Sequence, residues 1–202
     1  MKDLGIYLYA SATVPLAQGH FEISVYRTAD ESSEAVVISQ GVLVNARGMF
    51  VRIHSECFTG EALASQKCDC RFQLEEALKH IALQQQGMVI YLRQEGRGIG
   101  LGDKIRAYHL QNKGLDTIEA NNALGLGNDL RSFALAAKIL LHLHIDEIQL
   151  NSNNAEKRAA LEEEGIVVRG MIPSHAPLNE FNQRYLETKY RKMGHLLGAL
   201  FS

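Results

Sequence analysis

Three cysteines are all that this 202-residue chain contains. So small and odd a number excludes the paired disulfide framework of small secreted domains. Long apolar runs are missing too: nothing approaches the roughly 20 residues that a helix needs to cross a bilayer. Neither sign of charge dominates, the formal net being −2, which argues against a general nucleic-acid binder with its basic stripe. An anionic ligand must then be met by a local cluster of cations. The amino-terminal stretch MKDLGIYLYASATVPLAQG has one lysine and a short apolar patch, and Asp3 interrupts any leader-like start, so no signal peptide is expected. No internal repeat, low-complexity tract or linker divides the chain. The expectation is a cytoplasmic protein with one domain over residues 1–202, no membrane contact and no nucleic-acid partner.

Hydrophobic periodicity supplies the elements. Phe21, Ile23 and Val25 alternate within 20–27, the mark of a half-buried strand, and AVVIS (35–39) and MFVRIH (49–54) read as two more. Short connections between them predict antiparallel hairpins. From Arg71 the period changes: Phe72, Leu74, Ala77, Leu78 and Ile81 fall at helical spacing, which puts Cys68-Asp69-Cys70 at a helix amino terminus. MVIYL (88–92), EIQL (147–150) and IVVRGM (166–171) read as strands. Helices are predicted over 103–112, 130–143, 155–164 and 179–195. The alternation after residue 70 predicts an α/β (α+β) fold, a mixed sheet with a β-rich amino-terminal part and helices packed on it.

Four clusters carry chemistry. Cys57, Cys68 and Cys70 bunch within RIHSECFTGEALASQKCDC, and three thiols suggest a metal site that leaves its fourth position open, as catalytic zinc does. A fourth ligand from His54 or Glu56 would close it, and three inert buried thiols are the plainer alternative. The loop RQEGRGIGLG (93–102) follows a strand and is flanked by Arg93, Arg97, Lys104 and Arg106, which suits a triphosphate or a solvated basic surface. Asp129 and Arg131 lie two apart near an expected helix start, where an arginine can fork onto a phosphate and an aspartate can take a proton or simply cap the helix. Asn151-Ser152-Asn153-Asn154 follows a strand, as ligand-binding residues do in open α/β sheets, or as turn and cap residues do anywhere.

Taken together, RIHSEC, CDC-x-FQLE, RQEGRGIGL, KIRAY-x-LQ, DT-x-EAN, LG-x-x-x-D-x-R, SNN and YLETKYRKMGHLL resemble the GTP cyclohydrolase II family of riboflavin biosynthesis, over about residues 49–197. The resemblance implies one catalytic Zn²⁺ on Cys57, Cys68 and Cys70, Mg²⁺ with the GTP phosphates, and a homodimer. It implies that Asp129 is a proton acceptor, that Arg131 is a nucleophile or an electrostatic clamp at the α-phosphate, and that Tyr108 is catalytic. Substrate contacts are implied at Arg52, Ile53, His54, Ser55, Glu56, Gln73, Glu95, Gly96, Arg97, Thr117, Ser152 and Lys157. The reaction implied opens the guanine imidazole at C8 and splits off pyrophosphate, giving a diaminopyrimidinone ribosyl phosphate and formate. Arg71 stands where a glycine is usual, Ser152 where threonine is, and Ala155 and Glu156 where proline and lysine are common. Those departures keep open an altered substrate in a specialised pathway; a silent nucleotide-binding homologue is the other alternative.

Overall fold

A computed structural model describes residues 4–127 and 129–201. Asp3, and Asn128 within the segment 118–133, lie outside the described residues. The elements in chain order are β1 (Ile6–Leu16), β2 (Gly19–Thr28), β3 (Glu34–Gln40), β4 (Met49–Ser55), α1 (Phe58–Glu61), α2 (Cys70–Gln84), β5 (Gly87–Leu92), α3 (Gly100–Gln111), α4 (Thr117–Ala123), α5 (Ala134–His142), β6 (Glu147–Asn151), α6 (Ala155–Glu163), β7 (Val167–Ile172) and α7 (Gln183–Met193). Among the described residues, no helix is long and apolar enough to cross a membrane.

The chain forms two compact units. The first comprises residues 1–54, 74–93 and 133–174; the second comprises 55–73, 94–132 and 175–202. In the first, a mixed seven-stranded sheet runs in the order β1-β2-β3-β5-β4-β6-β7. The β1–β2, β2–β3 and β3–β5 pairs are antiparallel, whereas β4–β6 and β6–β7 are parallel. This corrects the expectation that the third predicted strand continues the hairpin series. The eight residues between β3 and β4 do not return the chain beside β3, because β5 takes that place.

Central position explains composition. Six of the seven residues of β4 and five of the six in β5 are buried, the pattern of strands covered on both faces. Side chains alternate across the sheet: Met49, Val51 and Ile53 join Met88, Ile90, Ile139 and Leu140 in one core, while Phe50 and Val89 join Ala77, Leu78 and Ile81 of α2 in the other. The outermost strand β1 was not expected. Its Leu8 and Tyr9 are 47% and 56% exposed, so it has no buried stripe to read, and Pro15 fits an edge where no ladder hydrogen bond is lost.

Two helix starts differ from the sequence expectation for a local reason. Asn179 accepts hydrogen bonds from the amides of Phe181 and Asn182 at 2.8 Å each, a side-chain turn that delays α7 to Gln183. Ahead of α5, the amide of Leu130 donates to the Arg97 carbonyl at 3.0 Å and that of Ser132 to Gln94 Oε1 at 3.2 Å. Those donors serve the glycine loop, so the helix begins only at Ala134.

Candidate metal centre and its surroundings

The second unit holds the chemical centre. After β4 the chain turns through α1, loops back, and enters α2 at Cys70, so the three sulfurs come from one short excursion. All three cysteines are free, and their Sγ atoms lie within 4.8 Å of one another. Among the described residues no histidine, aspartate or glutamate completes this group as a fourth member. The Cys57–Cys68 separation is 3.7 Å. A tetrahedral site with Zn–S bonds of about 2.3 Å requires S···S spacings of about 3.8 Å, so the donors fit that ion. Gly60 makes the approach possible: a Cβ there would sit 2.9 Å from Cys68 Sγ and 3.1 Å from Cys57 Sγ.

Thiols this close do not ionise independently. Cys57, hydrogen-bonded by the thiols of Cys68 and Cys70 and facing Lys104, is held far below the ordinary thiol value. Its bond to Cys68 pushes that thiol up to about 11, and the bonds from Cys57 and Cys68 push Cys70 up as well. Cys57 is thus the thiol that ionises most readily, and metal binding would expel the protons that the other two hold.

Lys104, on α3, changes its reading. Its Nζ lies 3.1 Å from Cys57 Sγ and 2.8 Å from Glu95 Oε1, with both side chains of the ion pair about 90% buried. Burial favours the neutral amine, but Glu95, Tyr108 and Cys57 outweigh it and hold the ammonium above its usual pKa. Glu95 Oε2 accepts from the Phe58 amide at 2.6 Å, next to the first cysteine. Lys104 and Glu95 thus brace the sulfur loop. Of the other cations expected at the glycine loop, Arg93 pairs with Glu34 and Arg106 with Asp103. Arg97 differs: its Nη1 is buried with no partner among the described residues. Its backbone is left-handed at φ 61°, as is that of Gly96 at 62°, a cost of roughly 1–2 kcal/mol for a residue with a Cβ.

Asp129 and Arg131 form a fork. Arg131 Nε donates to Oδ1 at 2.8 Å, Nη2 donates to Oδ2, and the Arg131 amide also reaches Oδ1 at 3.1 Å. Burial would raise the Asp129 pKa, but Arg131 outweighs it and keeps the carboxyl below its ordinary value. The aspartate is five residues ahead of α5 and is not its cap. Tyr108, also on α3, is pushed above the ordinary phenol value by burial, which outweighs the opposing Lys104, so it keeps its proton. Thr117 opens α4 directly after the Asp116 capping box. Ser55 Oγ accepts from Gln94 at 3.0 Å, and Glu56 is half-buried.

The first unit gathers Arg52, Ile53, His54, Ser152 and Lys157 at the carboxyl ends of β4 and β6 and the start of α6, all of them at most 7% exposed. Arg52 Nε donates to His54 Nδ1 at 3.0 Å and its Nη1 to Asn151 Oδ1 at 2.8 Å. Lys157 Nζ donates to the Ile53 carbonyl at 2.7 Å. Asn154 caps α6, its Oδ1 taking the Glu156 amide at 2.9 Å, while its Nδ2 and the Ser174 Oγ are buried with no partner among the described residues.

Residues 8–173 match the model of the family described as GTP cyclohydrolase II. A GTP cyclohydrolase-2 of Picrophilus torridus is 49% identical over 95% of this chain and 99% of its own length. The protein of that name from Pseudomonas aeruginosa is 44% identical over 98% of this chain and 96% of its own. The one from Tolumonas auensis is 44% identical over 95% and 98%.

The chain belongs to the GTP cyclohydrolase II family.

It is therefore a hydrolase by family, with a three-cysteine group that could hold a metal. Residue reading missed several neighbours of the three cysteines. Gly60 and Asp69 lie inside quoted motifs but offer no signal of their own, because closeness of Cβ and buried pairing are properties of the folded loop. Lys104 is visible as a cation, yet nothing in its spacing directs it to a thiolate and not to a phosphate. Gln73, expected at the substrate, donates to Asp69 Oδ2 at 2.7 Å.

Proposed function

We propose that this chain hydrolyses GTP at C8 of guanine and at the α–β phosphate link. The products are formate, pyrophosphate and 2,5-diamino-6-(5-phosphoribosylamino)pyrimidin-4(3H)-one, and the reaction is the first step of riboflavin biosynthesis. The observation that carries the reading is the convergence of three free thiols at zinc–thiolate spacing in a chain of this family. Cys57, Cys68 and Cys70 would hold the ion, and zinc, when bound, supplies the Lewis acidity that brings the pKa of water to about 7.

The chain's own groups divide the remaining work. Tyr108, which keeps its proton, is a hydrogen-bond donor toward the base and not a phenolate. Arg97 offers an unpaired buried Nη1 to a phosphate oxygen, with magnesium accompanying the phosphates. Arg131 acts as a clamp on the α-phosphate. A guanidinium keeps its proton far above the range in which a carboxylate takes one up, and Arg131 holds Asp129 lower still, so proton transfer from Arg131 to Asp129 is strongly uphill. Asp129 holds the fork in position and stays anionic. The contacts at Arg52, Ile53, His54, Ser152 and Lys157 belong to the same proposal.

The test is incubation of zinc-loaded protein with GTP, quantifying formate, pyrophosphate and pyrimidine, with one of each expected per GTP. Absence of both formate and pyrophosphate overturns the reading. Pyrophosphate without formate points to an incomplete reaction of a specialised relative.

A further inference from the structure

Helix α7 lies beyond residues 8–173, the part matched by the family model. It nevertheless sends Lys189 into the cysteine loop. Lys189 Nζ lies 2.8 Å from Asp69 Oδ1, and the pair is almost wholly buried, with side-chain exposures of 10% and 1%. Asp69 sits between two of the three cysteines. Its other oxygen, Oδ2, accepts from Gln73 Nε2 at 2.7 Å, and its carbonyl takes the Gln73 amide at 3.0 Å in the first turn of α2.

An unpaired carboxylate at this place would be costly twice. It would be desolvated without a counter-charge, and to reach water it would have to turn out of the loop that carries Cys68 and Cys70 on either side of it, taking their backbone with it. Lys189 removes both problems while fixing which way the carboxylate points. The lysine is itself held in place: it lies 4.5 Å over the Tyr185 ring one turn earlier, and its carbonyl accepts the His195 amide at 3.2 Å just past the left-handed Gly194 cap.

We infer that Lys189 is a positioning residue for the metal centre: by pairing with Asp69 it neutralises the anion between Cys68 and Cys70 and sets those two sulfurs for the ion. The inference rests on the reading that the three cysteines bind zinc. It makes α7 part of the site and gives the YLETKYRKMGHLL segment a task. It also predicts an effect on metal affinity that is separable from any effect on the stability of the apo protein.

The experiment measures zinc affinity by competition with a chromophoric chelator, together with the thermal midpoint of the metal-free protein, for the parent, Lys189→Met and the double variant Lys189→Met/Asp69→Asn. The parent is expected to bind one zinc, Lys189→Met to bind it at least tenfold more weakly, and the double variant to return to within about threefold of the parent, since it no longer holds a buried anion that must turn out of the loop. Outer partners of metal ligands typically change affinity by about 10–100-fold, which sets that scale. If Lys189→Met does not fold, Lys189→Gln, which keeps a donor without the charge, takes its place with the same expectation. Affinity in the single variant within threefold of the parent, whatever happens to the midpoint, overturns the assignment and leaves an ion pair of structural value only. A double variant no better than the single one also overturns it, because the charge of Asp69 would then not be the cause. A parent that binds no zinc fails the underlying reading instead, and the parent titration alone reveals it.

Discussion

Replacing Gly60 by alanine should damage the metal centre far more than the fold. The added methyl would lie 2.9 Å from Cys68 Sγ, 3.1 Å from Cys57 Sγ and 3.5 Å from Cys70 Cβ. The first of these is about 0.6 Å inside the shortest ordinary carbon contact of about 3.5 Å. Neither sulfur is the free end of a flexible side chain once it is a ligand, so the strain falls on the metal-bound form. Overpacking of this kind costs about 1–3 kcal/mol. In the apo protein the thiols can rotate away, and alanine gains up to about 1 kcal/mol over glycine in a helix. Stability without metal should therefore change little. In the loaded protein the strain appears as lost affinity, about fivefold to a hundredfold at 1.4 kcal/mol per decade. The assay is chelator competition beside urea denaturation of the apo form. Gly102→Ala is the control, since a Cβ at that helical position meets nothing within 4 Å. Zinc binding by Gly60→Ala within threefold of the parent would refute the reasoning.

Lys104→Met should lower the free energy of unfolding by about 3–5 kcal/mol in urea denaturation, because Glu95 and Cys57 would be left as buried anions without their cation. Arg131→Ala should abolish both formate and pyrophosphate release with the circular dichroism of the fold unchanged; retained turnover would remove Arg131 from the phosphate site. Asp129 has a depressed pKa in the fold, so its pairing contributes fully above the unfolded value of about 3.9 and is lost as pH falls through the lower folded one. Acid titration of Asp129→Asn should lack that component. His195 is lowered to about 3, by burial first and then by Lys189, Arg97 and Arg131. It folds neutral, so stability should decline as pH drops from about 6.5 toward 3, by at most about 1.4 kcal/mol per pH unit. The slope should be smaller in His195→Asn.

How much was legible beforehand depends on whether the cause is local. The strands at 20–27, 35–39 and 88–92 announce themselves because one or both faces are buried and the period is intact. β1 does not, since an exposed edge leaves no stripe. The order of the sheet is not written in loop lengths: the segment from Gly41 to Gly48 is short enough for a hairpin, and only the docking of β5 beside β3 decides otherwise. The three cysteines are legible because few alternatives exist for thiols so spaced. The arginine fork at Asp129 and Arg131 is legible as an i, i+2 pair, but the helix start was misplaced because Leu130 and Ser132 spend their amides on the loop at 94–97. Lys189 is illegible in principle, since its partner is 120 residues away in sequence.

That separation has a consequence in time. Chains are synthesised at about 5–20 residues per second, so the three thiols are complete roughly 6–24 s before the codon for Lys189 is read. During that interval the sulfur loop exists without the counter-ion of Asp69. An ion that arrives early would meet ligands whose final brace has not yet been made. On the assignment of Lys189 to the metal centre, capture and retention of the ion would be successive events, and a ribosome stalled ahead of α7 is expected to display a site that takes zinc but releases it quickly.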